Sequence, residues 1–278
     1  MSSWAKPQDP AHGTCGFVFA ASGQAYATLA EQACDTLRNT NPGFEVDLFT
    51  DCDVRPGLFS RVHPLDRSWF RPKFEALLKS RFDRTIYLDC DLVVVADLSD
   101  VFWLLQKHDI AAAHAPVRNA GFATSCWRTE IPNSFPMINA GVMGVRNSPE
   151  SRAFLSDCQT ALIESGLPRD QIIVRELLWQ SGLRLAVLPP EYNVRDERTT
   201  LMKGSRVGAP RVLHSSAFTK RMQSPDRAPT PHEIYGEVFL DHVDALIRAD
   251  RQLSPGGQRQ VQDLPLGRMV KWRAAMPD

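Results

Sequence analysis

No stretch of the 278-residue sequence is apolar for long enough to span a membrane. The first residues, Met1 to Pro7, hold no apolar run of the kind a signal peptide needs, so a cytoplasmic placement is expected. Paired cysteines are missing too. The six (Cys15, Cys34, Cys52, Cys90, Cys126, Cys158) are scattered, and no C-x-x-C occurs, which speaks against a zinc knuckle and a disulfide framework. Reduced, mostly buried thiols are the expectation. There is no excess of either charge: Lys plus Arg and Asp plus Glu both number 32. That balance argues against general nucleic-acid binding, which needs a basic surface to displace counterions, but leaves room for a local basic groove around a phosphorylated small molecule. Repeats and low-complexity tracts are absent as well.

What is present is a chain that is 43% apolar, enough for one large core. Apolar runs alternate with helical periodicity, the pattern of a layered α/β domain with a mostly parallel sheet flanked by helices. Strands are expected at 16–21, 44–49, 84–88, 185–188 and 211–213. Helices are expected at 24–39, from Arg71 to about 82, from Pro149 to about Glu164, over 170–180 and over 234–250. Ser148 is the expected N-cap of the Pro149 helix, and Gly166 its stop. The proline-bearing segment 223–232 reads as a loop. The expected division is an extension over 1–14, a main domain over 15–250 and a tail over 251–278.

The most informative stretch is Thr85-Ile86-Tyr87-Leu88-Asp89-Cys90-Asp91-Leu92-Val93-Val94. Side chains two apart on an extended chain point the same way, so Asp89 and Asp91 converge at the end of a buried strand. In open α/β sheets that end is where ligands bind. Two neighbouring carboxylates repel unless a cation sits beside them, and a hard divalent ion bridging to a diphosphate satisfies both sides. A pair of solvated aspartates at a turn is the plainer reading of the motif alone. HAD-type phosphohydrolases also carry D-x-D after a strand, but they want a small residue and Thr next, where this chain has Leu92-Val93.

The segment Tyr87 to Leu98, followed by Asp100-Val101-Phe102, resembles the metal-binding signature of family 8 glycosyltransferases, which include glycogenin and the bacterial lipopolysaccharide galactosyl- and glucosyltransferases. Further matches follow in the family's order. They are Ile138-Asn139-Ala140-Gly141-Val142-Met143, Asp170-Gln171-Ile172-Ile173, Leu188-Pro189-Pro190-Glu191-Tyr192-Asn193, and Leu213-His214 with Lys220. The set covers roughly residues 15–221. The resemblance implies a GT-A fold, a divalent metal (usually Mn²⁺, with Mg²⁺ the alternative), a UDP-sugar donor and retention of anomeric configuration.

It also implies roles. Asp91 and His214 ligate the metal, with Asp89 shared between metal and ribose. Lys73 contacts the sugar and phosphate side of the donor, and Lys220 the departing diphosphate. Asn139, Ala140 and Gly141 meet the donor sugar. Asp170 and Gln171 lie near the anomeric carbon as catalytic candidates. Ala20 and Ala21 belong to the nucleotide-binding loop, and Tyr26 stacks on the base. Read alone, His214 is a strand-end histidine, Lys73 and Lys220 are solvated cations, and Asp170 is a helix-capping acid. The chain departs from the family at Gly23, where Asn or Asp is common, and at Ala217, where Gly is usual.

The segment 115–137 is read as a loop over donor or acceptor. The acceptor itself, whether glycan, glycolipid or small molecule, is not identified. The basic Leu266 to Arg273 offers a peripheral membrane contact. A nucleotide-sugar-binding protein without turnover and a HAD-like phosphohydrolase are the alternative readings.

Overall fold

The computed structural model describes residues 8–9, 13–66 and 71–254. Most of the 1–14 extension and of the 251–278 tail, including Leu266 to Arg273, lies outside the described residues.

The chain runs β1 (Gln8–Asp9), β2 (Gly13–Ala21), α1 (Gln24–Thr40), β3 (Glu45–Thr50), β4 (Arg61–Pro64), α2 (Lys73–Lys79), β5 (Arg84–Leu88) and β6 (Leu92–Val94). It continues with α3 (Val101–Leu104), β7 (Ile110–His114), β8 (Ile138–Arg146), α4 (Pro149–Ser165), α5 (Asp170–Gln180) and β9 (Leu185–Leu188). The last described part holds α6 (Glu197–Lys203), β10 (Val212–His214), α7 (Ala217–Lys220), α8 (Pro231–Tyr235) and α9 (Glu237–Ala249).

The central sheet has the order β4-β3-β2-β5-β8-β7-β9, with β1 on the start of β2. Strands β4, β3, β2 and β5 pair in parallel, and so do β7 and β9. Strand β8 runs antiparallel to both of its neighbours. Strand β2 is buried on both faces, which is why its sequence reads as an unbroken apolar run. Its alternate residues feed two cores. Phe17, Phe19 and Ala21 join Ala27, Ala30, Ala33 and Leu37 of α1 on one face. Val18 and Ala20 join Phe74 and Leu77 of α2, Phe154 and Leu155 of α4 and Ile173 of α5 on the other.

Local signals set most boundaries. The Ser148 side chain accepts the Ser151 N–H, Pro149 opens α4, and Gly166 closes it in the left-handed region at φ 61°. Helix α5 spans the expected residues. Three expectations need correction. The α2 helix begins at Lys73, with Pro72 as its N-cap. The 234–250 helix is two helices, since Gly236 sits at φ 76° between α8 and α9. Pro231, expected in a loop, opens α8 behind a capping box of Thr230 and Glu233. Burial in β3 also takes in a charged residue. Asp47 is buried, and its carboxylate pairs with Arg81 at 2.7 Å and His63 at 3.3 Å.

Candidate active site

The main-sheet strand β5 ends at Leu88, and the chain then leaves the sheet. After Asp89-Cys90-Asp91 it re-forms as β6, which pairs antiparallel with β10 in a small second sheet. The register sets His214 opposite Leu92, so the imidazole arrives next to Asp91. The reversed direction of β8 supplies the third wall. Its first residues meet the carboxyl end of β5, where the Asp89 N–H donates to the Gly141 carbonyl at 2.8 Å. Ala112 of β7 opposes Met143, yet Ala113 opposes Asn139, so residues 140–142 have no β7 partner and bulge at the site.

Asp89, Asp91 and His214 form a cluster in which one ligand atom from each lies within 4.8 Å of the others. His214 Nε2 is 3.0 Å from Asp91 Oδ1 and 3.9 Å from Asp89 Oδ2. A glycine is required at 141: a Cβ there would stand 2.3 Å from His214 Cε1 and 2.9 Å from Asp89 Oδ2.

A chain of hydrogen bonds fixes the imidazole's tautomer. The Gly141 N–H donates to Asn139 Oδ1 at 3.0 Å, which orients that amide. Asn193 Nδ2 donates to the same oxygen at 3.1 Å, which turns Asn193 Oδ1 toward His214. That oxygen only accepts, so His214 Nδ1, 2.8 Å away, carries the hydrogen. Nε2 is left with a lone pair directed at Asp91. Two carboxylates and an imidazole lone pair suit a divalent ion. An acceptor from a carbonyl-type oxygen behind the ring is the usual way a histidine ligand is oriented. The residues fit the group.

Beside this cluster Lys73 is buried, with Nζ 3.3 Å from Asp89 Oδ1 and 3.0 Å from Asp170 Oδ2. It also donates to the Ala140 carbonyl at 3.2 Å. Burial works to lower the Lys73 pKa, but Asp170 and Asp89 outweigh it and the net shift is upward. Burial likewise pushes Asp170 up, and Lys73 with Arg71 bring it below the usual carboxylate value. Lys73 and Asp170 are therefore charged at neutral pH. At Asp91 burial pushes the carboxyl up and the Arg195 guanidinium pulls it down.

These residues line a cleft of about 280 Å³, along with Ala20, Tyr26, Asn139, Ala140, Gly141 and Gln171. Tyr26 is 45% exposed at its rim. Ala21 is fully buried behind the cleft, and Lys220 stands exposed on α7; neither is in its lining. Helix α7 follows the His214 loop, whose Ser215 N–H donates to the Asp91 carbonyl at 3.1 Å. At the nucleotide-loop departure, Gly23 takes φ 83°, and Asp51 holds the loop by accepting from the Gly23 N–H at 2.7 Å and the Ser22 hydroxyl at 3.0 Å.

The structure adds four residues that the sequence reading had not placed in the site. Asn193 closed the L-P-P-E-Y-N segment, so a signal for it existed. Arg71, Arg169 and Arg195 also line the cleft, where with Lys73 four cations meet the three carboxylates Asp89, Asp91 and Asp170. Nothing in their spacing marked them. The 115–137 segment is fastened to α5. Glu176 accepts the backbone N–H groups of Trp127, Arg128 and Thr129 at 2.7–3.0 Å. Arg175 donates to the carbonyls of Pro132 and Phe135 at 3.0 Å. At the cleft edge, Arg169 lies over the Phe122 ring at 4.3 Å.

The sheet order, the reversed β8 and the excursion through β6 define a GT-A fold. Solved structures of similar shape bear this out. The galactosyltransferase LgtC, solved with donor and acceptor sugar analogs, superposes with a TM-score of 0.53 at 14% identity, over 83% of this chain and 96% of that one. Glycosyltransferase GlyE of Streptococcus pneumoniae TIGR4 gives 0.54 at 20% identity, over 84% of this chain and 62% of that one. The bifunctional glycosyltransferase WbbM gives 0.54 at 14% identity; the match covers 83% of this chain but only half, 50%, of WbbM. No protein-family model matches the chain, and no curated protein matches it in sequence. The fold is thus that of the glycosyltransferases that the family 8 motifs resemble, and the HAD-like alternative falls with it. Among the described residues no helix is long and apolar enough to cross a membrane.

Proposed function

We propose that the chain is a divalent-metal-dependent retaining glycosyltransferase that moves a hexose from a UDP-sugar to a glycan, glycolipid or small-molecule acceptor. The observation that carries this is the convergence of Asp89, Asp91 and His214 at the carboxyl end of β5, in a GT-A sheet. Asp89, Asp91 and His214 would hold the ion, which supplies positive charge against the diphosphate as the sugar departs. Tyr26 offers a ring face to the base at the cleft rim. Lys73 keeps Asp89 and Asp170 at fixed positions, so that a carboxylate faces the sugar without moving. Asp170 and Gln171, both in the cleft lining, would stabilise positive charge at the anomeric carbon. Asn139, through its amide, joins the sugar side to the His214 support. Lys220, exposed on α7 outside the cleft lining, is the cation offered to the diphosphate.

The test is calorimetric titration of UDP into metal-stripped protein, with and without Mn²⁺, beside GDP and ADP. Binding of UDP that requires Mn²⁺ supports the reading. Binding of another nucleotide in preference to UDP corrects the donor, and no nucleotide binding by folded protein overturns the proposal. Release of free sugar from a UDP-sugar panel then separates an enzyme from a protein that binds donor without turnover.

A further inference from the structure

Arg195 occupies a peculiar place. Its Nη1 donates to His214 Nε2 at 2.6 Å, the atom whose lone pair the Asn139–Asn193 chain turns toward Asp91. Arg195 can only donate, so Nε2 accepts in this contact. Nε2 and Asp91 Oδ1 are then two acceptors 3.0 Å apart. Two facing lone pairs are tolerated only when positive charge lies with them. The guanidinium supplies it where a divalent ion would otherwise do so.

The backbone holds Arg195 at this spot while leaving its side chain free to leave. The flanking Val194 donates to the Val212 carbonyl at 2.9 Å and accepts from the His214 N–H at 2.9 Å, so Arg195 is carried on the edge of β10. Its side chain is exposed, so a change of rotamer meets little packing.

We propose that Arg195 is a built-in cation that occupies the metal side of Asp91 and His214 and must be displaced when a divalent ion binds. It is a positioning residue for the metal centre, and the inference rests on the metal reading given above. An ion that must first displace Arg195 binds with an affinity reduced by the fraction of molecules in which the site is open.

The experiment is a Mn²⁺ titration of the full chain without nucleotide, read by the electron paramagnetic resonance signal of free Mn²⁺. If Arg195 covers the site in about nine molecules of ten, Arg195→Gln binds Mn²⁺ about tenfold more tightly than wild type. Arg195→Lys, which keeps a donating cation, lies between the two. Arg169→Gln removes the same charge from the same cleft at a residue over Phe122, and it shifts the affinity far less. Equal affinities for wild type and Arg195→Gln, or weaker binding by the variant, overturn the proposal and leave the metal reading standing. Equal tightening by Arg169→Gln also overturns it, since a general field would then explain the gain. Mn²⁺ binding by Asp91→Asn at wild-type strength sinks the metal reading, and this proposal with it. Arg195→Met repeats the test should the glutamine variant fold poorly.

Discussion

The two ends of the central sheet carry similar residues and put them to opposite uses. At the amino ends of β7 and β9, Asp109 accepts from the Arg146 guanidinium, from the Arg184 N–H at 2.8 Å and from Arg184 Nε at 3.4 Å. The Asp109 carboxylate is thus matched from within the chain. At the carboxyl end of β5, Asp89 meets Lys73, and Asp91 meets His214 with Arg195 bonded to it, all around one open cleft. The hollow beside Asp109 is the larger, about 530 Å³ against 280 Å³. Size therefore does not mark the site; two carboxylates and an imidazole converging at the carboxyl ends of parallel strands do.

The sharpest way to break this contrast is Asp91→Asn. It removes a metal ligand and leaves both apolar cores untouched. Turnover is expected to fall by about 10³-fold, equivalent to several kcal/mol of lost charge stabilisation, with the melting temperature unchanged. A transfer assay run beside a thermal melt checks both, and metal-dependent turnover at wild-type rate would end the assignment. Gly141→Ala is the next in size. Its new methyl group would meet His214 and Asp89, so the ring or the β8 bulge must shift. Mn²⁺ affinity should drop about 10–100-fold, as when a ligand's support is lost.

Asn193→Ala sharpens the comparison from a distance, because Asn193 bonds to Asn139 and to His214 Nδ1 and acts on the metal side only through the ring. Without its oxygen the Nδ1 hydrogen loses its acceptor, and the ring can adopt the other tautomer. The loss in Mn²⁺ affinity should be about tenfold. Asn193→Asp keeps an acceptor for Nδ1 and should recover part of that affinity. Equal binding by both variants would detach Asn193 from the metal centre.

How far the site was legible follows from the kind of signal each part leaves. Asp89 and Asp91 sit two apart after a buried run, and that local pattern exposes them. His214 lies 123 positions beyond Asp91 and is brought back only by the β6–β10 register, so its role came from the order of motifs. Asp170 read as a capping acid because local sequence does not show that a lysine from α2 would meet it in a buried pair. Arg195 leaves no local signal, since an exposed arginine beside Asp196 and Glu197 looks like any polar turn. Strands β2 and β5 of the sheet were legible for a simpler reason: both of their faces are covered, so their apolar runs are continuous, whereas β4, β7 and β8 were not among the expected strands. The break at Gly236 was missed because it needs a backbone angle, and strand β6 after Asp91 because it needs a distant partner strand.

The smallest effect on the site, and the cleanest contrast with it, comes from Asp109→Asn at the closed end. Burial pushes the Asp109 carboxyl up, but the Arg184 N–H and the guanidiniums of Arg184 and Arg146 outweigh it, so its pKa is lowered in the native protein. A lowered native value means that the unfolded chain takes up the proton first as pH falls. The stabilisation is therefore complete above the ordinary carboxylate range and is lost as pH drops through the native value. Replacing the carboxylate should cost about 1.5–3 kcal/mol near pH 7, the range for hydrogen bonds to a charged group. The gap between wild type and variant should then narrow below about pH 4, where the ordinary carboxylate is already protonated when unfolded. Mn²⁺ affinity should not change at any pH tested, since Asp109 lies at the opposite end of the sheet. Denaturant unfolding at two pH values, paired with the Mn²⁺ titration, measures both. A stability gap that ignores pH would show that Asp109 contributes packing and not charge, and a change in Mn²⁺ binding would show that the two ends of the sheet are coupled.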